Sequence, residues 1–211
     1  MKEARIIAWD GVDPLILNQA LAVLRRGALL VLPTDTVYGV AADPRLPGAE
    51  QRLGRAKGRA EDKPIPLLAA DWTQIEQWPA QFSPAARRLA RRYWPGALTM
   101  VLRVGADRWE GFRIPQHAAA LALLRGVGRP LRVTSANLSG APPAVTAQAA
   151  AEALGKAVDL ILDNGPSPGG RPSTVIRIEN ESVTILREGA IPGQEIMTAH
   201  REGMRAGTRD M

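Results

Sequence analysis

The strongest constraint on the fold is a run of consecutive apolar residues, 28–32, that lies between a helix pattern and a polar segment. The helix pattern begins with Asp13 and Pro14, which suit a cap and a first helical position, and it stops at Gly27. An unbroken apolar run of this length is typical of a strand that is buried on both faces. The sequence therefore predicts a mixed α/β sheet with this strand near its centre.

The rest of the pattern predicts alternating helices and strands. Helices are expected at 47–56, from Ser83-Pro84 to about residue 92, at 117–125, and from Thr146 to residue 154. Extended segments are expected at 66–70, 97–104, 111–115, 131–133, 158–162, 173–178 and 183–187, with a Gly- and Pro-rich loop at 163–172. We expect a single domain over residues 1–197 and a polar, frayed C-terminal tail over residues 198–211.

Composition restricts the chemistry that the chain can support. The 211 residues include no cysteine, so disulfides, zinc–thiolate sites and cysteine nucleophiles are excluded. The only histidines are His117 and His200, and two histidines cannot form a multi-histidine metal site. His117 is expected to be a helix cap or a surface residue. We predict no metal held by the protein's own side chains and no tightly bound prosthetic group.

The balance of charges favours anionic partners. The chain has 27 Lys and Arg residues against 21 Asp and Glu residues, a net charge of +6, which suits nucleotides, RNA or both. Aromatic residues make up only 4%, which argues against a stacking platform for single strands. No apolar run approaches the ~20 residues of a membrane span, and the first residues do not resemble a signal peptide. We therefore expect a cytoplasmic protein with no membrane partner.

Three cations lie close together in the segment 57–64. Lys57, Arg59 and Lys63 fall within seven residues, Gly58 permits a bend, and Pro64 disfavours a helical conformation before it. We interpret the segment as a non-helical loop that directs several cations at one polyanion, because Arg and Lys both bind phosphate oxygens well. The alternative is a solvated charged loop, since short basic runs are weak signals on their own.

Two polar segments each follow a predicted strand. Residues 33–39 follow the run at 28–32, and residues 134–140 follow the strand at 131–133. Small hydroxyl and amide side chains at the end of a strand can bind a ligand without steric bulk, and strand ends are common sites in α/β sheets. The alternative is a pair of turns in which these side chains satisfy local backbone groups.

Familiar nucleotide and hydrolase motifs are absent. The chain has no P-loop pattern and no nucleophile-elbow pattern, and Gly126-Val127-Gly128 lacks the third glycine of a dinucleotide fingerprint. Phosphate chemistry in this chain must therefore use cations and hydroxyls that are spread over several loops.

Taken together, five blocks resemble the YrdC-like threonylcarbamoyl-adenylate synthases, in the order typical of that family. They are Leu32-Pro33-Thr34-Asp35-Thr36-Val37-Tyr38-Gly39-Val40; Lys57-Gly58-Arg59 with Lys63-Pro64; Trp94-Pro95-Gly96-Ala97-Leu98-Thr99; Thr134-Ser135-Ala136-Asn137-Leu138-Ser139-Gly140; and Ser173-Thr174-Val175 followed by Leu186-Arg187-Glu188-Gly189. The resemblance covers about residues 14–192 and fits the short form of the family.

The resemblance implies a twisted open mixed sheet flanked by helices, with a basic concave surface. It implies a nucleotidyltransferase that converts L-threonine, bicarbonate and ATP to threonylcarbamoyl-AMP and pyrophosphate. That product supplies the N6-threonylcarbamoyladenosine modification of tRNA. The implied partners are these substrates, the proteins of the transfer step, and tRNA or double-stranded RNA.

By position, the resemblance also assigns the site. Threonine is held by Thr36, Arg113, Ser135 and Ser173. ATP is held by Lys57, Arg59, Lys63, Asn137, Ser139 and Arg187, of which Lys57 and Arg59 are the catalytic cations. Catalysis by positioning and charge neutralisation then needs no further motif, with Mg²⁺ expected on the nucleotide and Asp35 as a candidate base.

Three positions depart from the family pattern. Ala60 stands where proline is usual, Ile65 where leucine is usual, and Leu68 where a histidine commonly contacts threonine. A competing hypothesis is a non-catalytic YrdC-like protein that binds double-stranded RNA or tRNA through the same basic surface. Salt-dependent RNA affinity that ATP and threonine leave unchanged would distinguish this alternative.

Overall fold

A computed structural model describes residues 3–58 and 64–207, and these residues form one mixed sheet of ten strands in the order β1-β8-β2-β3-β7-β4-β6-β5-β9-β10. The strands are β1 (Arg5–Ala8), β2 (Leu30–Leu32), β3 (Gly39–Ala42), β4 (Leu67–Leu68), β5 (Leu98–Val104), β6 (Arg108–Arg113), β7 (Leu131–Ser135), β8 (Leu160–Asp163), β9 (Thr174–Glu179) and β10 (Ser182–Arg187). Parallel and antiparallel pairs both occur, which confirms the predicted class of open mixed sheet.

Seven helices flank this sheet within the described residues. They are α1 (Pro14–Arg25), α2 (Ala49–Lys57), α3 (Trp72–Glu76), α4 (Pro84–Tyr93), α5 (Ala118–Val127), α6 (Ala147–Leu154) and α7 (Gly193–Gly207). The caps expected from the sequence are present: Asp13, Ser83 and Thr146 each accept a backbone N–H of the helix that follows. His117 caps α5 in the same way, through Nδ1.

Strand β2 explains why the run at 28–32 is apolar throughout. Leu30 and Leu32 pack in a core that includes side chains of α1 and α5. Val31 packs in a second core, which includes side chains of α2 and α6. Since neighbouring residues of a strand point to opposite faces, helices on both faces require an apolar residue at every position.

The strand register brings the two polar segments together. Gly39 of β3 pairs with Ser135 of β7, so the segment that joins β2 to β3 lies beside the segment that follows β7. On the other side of β7, Leu68 of β4 pairs with Arg113 of β6. Sequence blocks that are nearly a hundred residues apart therefore meet on one part of the sheet.

Several helix and strand boundaries differ from those predicted. Lys57 is the last residue of α2 and not part of a non-helical loop, because the helix continues until Gly58 adopts the left-handed conformation at φ 59°. Strand β4 is shorter than the expected segment at 66–70, and β6 starts earlier than the expected segment at 111–115. No helix in the described ranges is both long enough and apolar enough to span a membrane.

The expectation of a frayed tail from residue 198 is wrong over the described residues. Helix α7 continues to Gly207 and packs against α4. Ile196, Ala199 and His200 form its buried face. The spacing of these residues is helical, but only Ile196 is strongly apolar, so the pattern resembled a polar tail.

We predict that Ile196→Ala lowers the free energy of unfolding by about 2–5 kcal/mol, because Ile196 is fully buried against the core beside α4. Gln194→Ala on the exposed face of the same helix is the control, with an expected change within about 0.5 kcal/mol. Urea unfolding measures both. Equal, small effects would mean that α7 does not pack as described.

Candidate active site

Arg113 lies at the end of β6 and connects three segments of the chain. Its Nε donates to the carbonyl oxygen of Gly96 at 2.9 Å, and its Nη1 donates to Thr36 Oγ1 at 2.9 Å. Its Nη2 forms an ion pair with Asp35 Oδ1 at 2.5 Å. The residue is only 5% exposed, so these contacts compensate for burying a charge.

The electrostatics of this group follow from its burial. Burial lowers the pKa of Arg113 from its ordinary value, and the neighbouring Asp35 carboxylate partly offsets that effect. The guanidinium of Arg187 also lowers the pKa of Arg113, so positive potential from two arginines acts at one place. Such a site favours a carboxylate or phosphate ligand.

The segment between β2 and β3 is held by the hydroxyl of Thr34. Thr34 Oγ1 donates to the carbonyl oxygen of Val37 at 2.6 Å and lies 3.0 Å from Thr36 Oγ1. It also accepts the backbone N–H groups of Thr36 and Val37. The hydroxyls satisfy a local turn, as one interpretation of the sequence had it, and they also fix Thr36 beside Arg113.

Ser173 lies directly before β9 and is fixed from two sides. Its Oγ is 2.8 Å from Thr99 Oγ1, and its carbonyl oxygen accepts a hydrogen bond from Arg187 Nη2 at 2.7 Å. Ser173 and Thr99 are both buried. The two oxygen atoms therefore have defined positions before any ligand arrives.

Lys57 holds the segment that follows β7. Its Nζ donates to the carbonyl oxygen of Ser135 and to that of Asn137, the latter at 2.6 Å. The carbonyl oxygen of Lys57 in turn accepts the backbone N–H of Ser139 at 2.8 Å. Lys57 is 4% exposed, so its ammonium binds carbonyl groups of the protein rather than solvent.

The side-chain amide of Asn137 is engaged in the same segment. Its Nδ2 donates to the carbonyl oxygens of Leu138 and Ala141, each at 2.8 Å. Ser139 is exposed. Arg59 and Lys63, the other predicted phosphate cations, lie outside the described residues.

A cavity of about 230 Å³ lies between Arg113, Ser135 and Ser173. Five of the predicted site residues line it: Thr36, Arg113, Ser135, Ser173 and Arg187. Lys57, Asn137 and Ser139 are not among its lining residues. All four residues predicted to hold threonine therefore face one cavity. Of the predicted ATP residues within the described ranges, Arg187 lines this cavity, whereas Asn137 and Ser139 belong to the segment after β7 and Lys57 contacts that segment.

The cavity has further lining residues that were not predicted to bind a substrate. Thr34, Thr99 and Trp109 are among them. Leu68, which stands where a histidine commonly contacts threonine in the family, also lines the cavity, and its side chain offers no hydrogen bond. Thr34 and Thr99 lie within the blocks quoted above, so their position was available from the sequence, but their role depends on contacts made only in the fold.

The loop between β8 and β9 closes one side of the cavity. Gly169 packs so tightly on the turn after β2 that an added Cβ would lie 2.5 Å from the carbonyl oxygen of Asp35. Tyr38 Oη anchors the start of this loop by donating to the carbonyl oxygen of Gly165 at 2.7 Å. Burial is the main cause that raises the pKa of Tyr38 to about 12, so the phenol stays protonated at neutral pH.

The site is built for binding and charge neutralisation. Within residues 3–58 and 64–207, no group of three or more His, Asp or Glu side chains could hold a metal ion. The arrangement offers buried cations, hydroxyls and backbone carbonyls around a small cavity, which suits an amino acid or a similar polar metabolite.

We predict that Lys57→Met lowers the free energy of unfolding by about 1.5–3 kcal/mol, because it keeps the aliphatic stem and removes the donor to two carbonyl oxygens. Lys156→Met, at an exposed lysine, is the matched control, with an expected change within about 0.5 kcal/mol. Thermal and urea unfolding measure both. An Lys57→Met protein as stable as the control would show that the ammonium does not hold the segment after β7.

This chain is similar to known proteins in both sequence and fold. A sequence profile for Sua5/YciO/YrdC proteins, described as telomere recombination, matches residues 22–189. A putative threonylcarbamoyl-AMP synthase from Mycobacterium tuberculosis is 38% identical over 186 residues, which covers 84% of this chain and 85% of the relative. Threonylcarbamoyl-AMP synthase from Bacillus subtilis is 36% identical over 87% of this chain and 56% of its own length.

Solved structures of related proteins have the same fold as this chain. The crystal structure of Pyrococcus abyssi Sua5 complexed with L-threonine superposes with a TM-score of 0.87 at 32% identity and covers 93% of this chain and 61% of that one. Escherichia coli YciO superposes with a TM-score of 0.80 at 26% identity over 93% of this chain and 99% of its own. This chain, with its cavity around Arg113, therefore belongs to the Sua5/YciO/YrdC family.

Proposed function

We propose that this protein is a threonylcarbamoyl-AMP synthase that forms L-threonylcarbamoyladenylate and pyrophosphate from L-threonine, bicarbonate and ATP. The observation that carries the proposal is the buried guanidinium of Arg113 at the wall of a cavity of about 230 Å³. The names of the relatives and the threonine complex of the Pyrococcus protein support the same activity.

The cavity walls suit a zwitterionic amino acid. Two N–H groups of Arg113 remain after its three contacts within the fold, and a guanidinium binds a carboxylate well. Thr36, Ser135 and Ser173 supply oxygen atoms for the amine and the side-chain hydroxyl. Leu68 offers only an apolar contact where related proteins commonly have histidine, so we infer that threonine selectivity rests on the three hydroxyl residues.

The chemistry proceeds in two bond-forming steps. The neutral amine of threonine attacks carbon dioxide, which bicarbonate supplies with loss of hydroxide, and the resulting carbamate loses a proton from nitrogen. A carbamate oxygen then attacks the α-phosphorus of ATP, the bond to the β-phosphate oxygen breaks, and pyrophosphate leaves. The protein contributes orientation of the amine and stabilisation of the phosphate charge.

On the nucleotide side, Arg187 reaches the threonine cavity and is proposed to contact phosphate oxygens. We infer that Lys57 and Asn137 act chiefly by shaping the segment around Ser135 and Ser139, since their side chains bind backbone carbonyls there. Arg59 and Lys63 stay predicted phosphate ligands. We propose that Mg²⁺ arrives with ATP, as part of the substrate.

The product is proposed to enter the N6-threonylcarbamoyl modification of tRNA adenosine. Four expectations stay predictions: the transfer proteins, the contact with tRNA or double-stranded RNA, the basic concave surface and the cytoplasmic location. A single domain also stays a prediction, although its predicted end at residue 197 falls within α7.

The experiment is detection of threonylcarbamoyl-AMP by mass spectrometry after mixing protein, ATP, Mg²⁺, bicarbonate and threonine, with serine and valine in parallel. We expect product from threonine. Arg113→Lys keeps the positive charge but loses the paired N–H donors that a guanidinium presents to a carboxylate. It should therefore raise the KM for threonine about ten- to a hundredfold. Arg25→Lys, at an exposed position at the end of α1, is the control.

Two results would contradict the proposal. One is absence of product with wild-type protein while ATP and threonine are both bound. The other is an Arg113→Lys variant with the threonine KM of the control. Better use of valine or serine than of threonine would overturn the substrate assignment alone.

A further inference from the structure

A second buried ion pair lies behind the sheet, on the face opposite the cavity. Arg132 of β7 donates two hydrogen bonds to the carboxylate of Glu110 of β6, from Nη1 to Oε2 at 2.5 Å and from Nη2 to Oε1 at 2.9 Å. The two residues are only 7% and 4% exposed. Their strand neighbours Val133, Trp109 and Gly111 line the cavity, whereas Arg132 and Glu110 do not. Since side chains alternate along a strand, the pair points away from the cavity.

The guanidinium of this pair also contacts two segments outside its own strand pair. Arg132 Nη1 donates to the carbonyl oxygen of Ile65 at 2.6 Å, and Arg132 Nε forms an ion pair with Oε1 of Glu50 at 2.9 Å. Glu50 lies in the first turn of α2, and α2 ends at Lys57. Arg132 therefore contacts both the helix that precedes the segment 58–63 and a residue that closely follows this segment.

Stability alone does not account for burying these charges. A buried ion pair contributes little net stability compared with apolar side chains of similar volume, because desolvation offsets the attraction between the charges. The surroundings could hold apolar groups, since the Trp78 ring lies 5.7 Å from the Arg132 guanidinium carbon. What the pair supplies is direction. A guanidinium held by both oxygens of Glu110 has a fixed plane, and its next donor meets the carbonyl oxygen of Ile65.

The neighbouring cavity wall has supports that do not involve the Arg132 side chain. The backbone N–H of Val133 donates to the carbonyl oxygen of Pro66 at 3.0 Å. Pro66 also packs against β6, where a Cβ added to Gly111 would lie 3.0 Å from its side chain. Pro66 lines the cavity, so loss of the Arg132 side chain would release Ile65 while the wall of the amino-acid cavity keeps its contacts.

We propose that Arg132, held by Glu110, is a positioning residue for the nucleotide substrate. It fixes Ile65 and the first turn of α2, and the segment 58–63 connects these two fixed parts of the chain. Two of the predicted phosphate cations belong to that segment. The inference rests on the proposed function and deepens it, because it assigns to a pair on the far face of the sheet the control of ATP affinity without a contact to ATP.

The test is calorimetric binding of ATP with Mg²⁺ and, in separate titrations, of L-threonine. Arg132→Met keeps the aliphatic stem and removes every donor. It should raise the Kd for ATP at least about tenfold, the effect of losing one charge-assisted phosphate contact. The Kd for threonine should change by less than about twofold, because the cavity wall keeps its own supports.

Arg108→Met is the matched control. Arg108 forms an ion pair with the same Glu110 carboxylate at 3.5 Å and lies 6.0 Å from the same Trp78 ring, but its side chain is exposed. The control removes the same charge from the same neighbourhood. Its Kd values for ATP and for threonine should both stay within about twofold of the wild type.

A double variant separates positioning from stability. Arg132→Met leaves the Glu110 carboxylate buried without its bidentate partner, so it should also lower the urea midpoint of unfolding. Arg132→Met/Glu110→Leu removes both buried charges and should return the midpoint toward that of the wild type. Its Kd for ATP should stay at least about tenfold above the wild type, because Ile65 still lacks its donor. If Arg132→Met does not fold, the double variant provides the same comparison.

Three results would overturn the proposal: equal weakening of ATP and threonine binding by Arg132→Met, an ATP Kd of Arg132→Met that matches the Arg108→Met control, or a double variant that regains wild-type ATP affinity together with its stability. The proposed function fails separately. Wild-type protein that binds ATP and threonine but forms no product would overturn the synthase activity, while the Kd values would still decide the role of Arg132. Wild-type protein that does not bind ATP would overturn both.

Discussion

The buried ion pair between Arg113 and Asp35 is the interaction on which the site depends. A guanidinium at 5% exposure is tolerated only where its charge and its N–H groups are satisfied, and here the partners come from two separate segments, Asp35 and Thr36 from one and Gly96 from the other. Gly96 belongs to the turn before β5, and its backbone N–H donates back to the carbonyl oxygen of Ile114 at 2.8 Å. The requirement to satisfy one buried cation thus fixes two turns, of which the one after β2 lines the cavity.

A second buried cation, Lys57, fixes the segment that follows β7. Lys57 ends α2, and its ammonium binds carbonyl oxygens of the segment after β7. Carbonyl dipoles oriented toward an ammonium keep this segment in a single conformation, which leaves Ser139 exposed and Ser135 facing the cavity. Of the three clustered cations in the sequence, at least this one stabilises the site from within the fold.

The fold was largely predictable because its strongest signals are local. The apolar run at 28–32, the caps Asp13, Ser83 and Thr146, and the extended segments at 173–178 and 183–187 all depend on short-range patterns, and each occurs close to where it was expected. Helix α7 was missed because its buried face relies on one isoleucine together with Ala199 and His200, a composition that resembles exposed sequence. Its burial is decided by the neighbouring helix α4, which no local pattern reveals.

The site was predictable in part. The resemblance identified Thr36, Arg113, Ser135 and Ser173, and these four line one cavity. The hydrogen bonds of Lys57 to backbone carbonyl oxygens could not be predicted. A lysine in a glycine-flanked basic run is ordinarily solvated, and these partners lie some eighty residues away.

The hydrogen bonds around Thr34 and Thr36 could not be predicted from the sequence for a related reason. They depend on the carbonyl of Val37 and on a guanidinium 77 residues away, at distances that exist only in the folded chain. Sequence patterns identify which polar groups are available. Only tertiary contacts determine which of their hydrogens and lone pairs remain for a ligand.

The most direct measurement is a crystal structure of the protein with L-threonine bound. We expect the substrate in the cavity of about 230 Å³, with its carboxylate within hydrogen-bonding distance of the Arg113 guanidinium. Threonine bound outside this cavity, or bound with its carboxylate away from Arg113, would contradict the account.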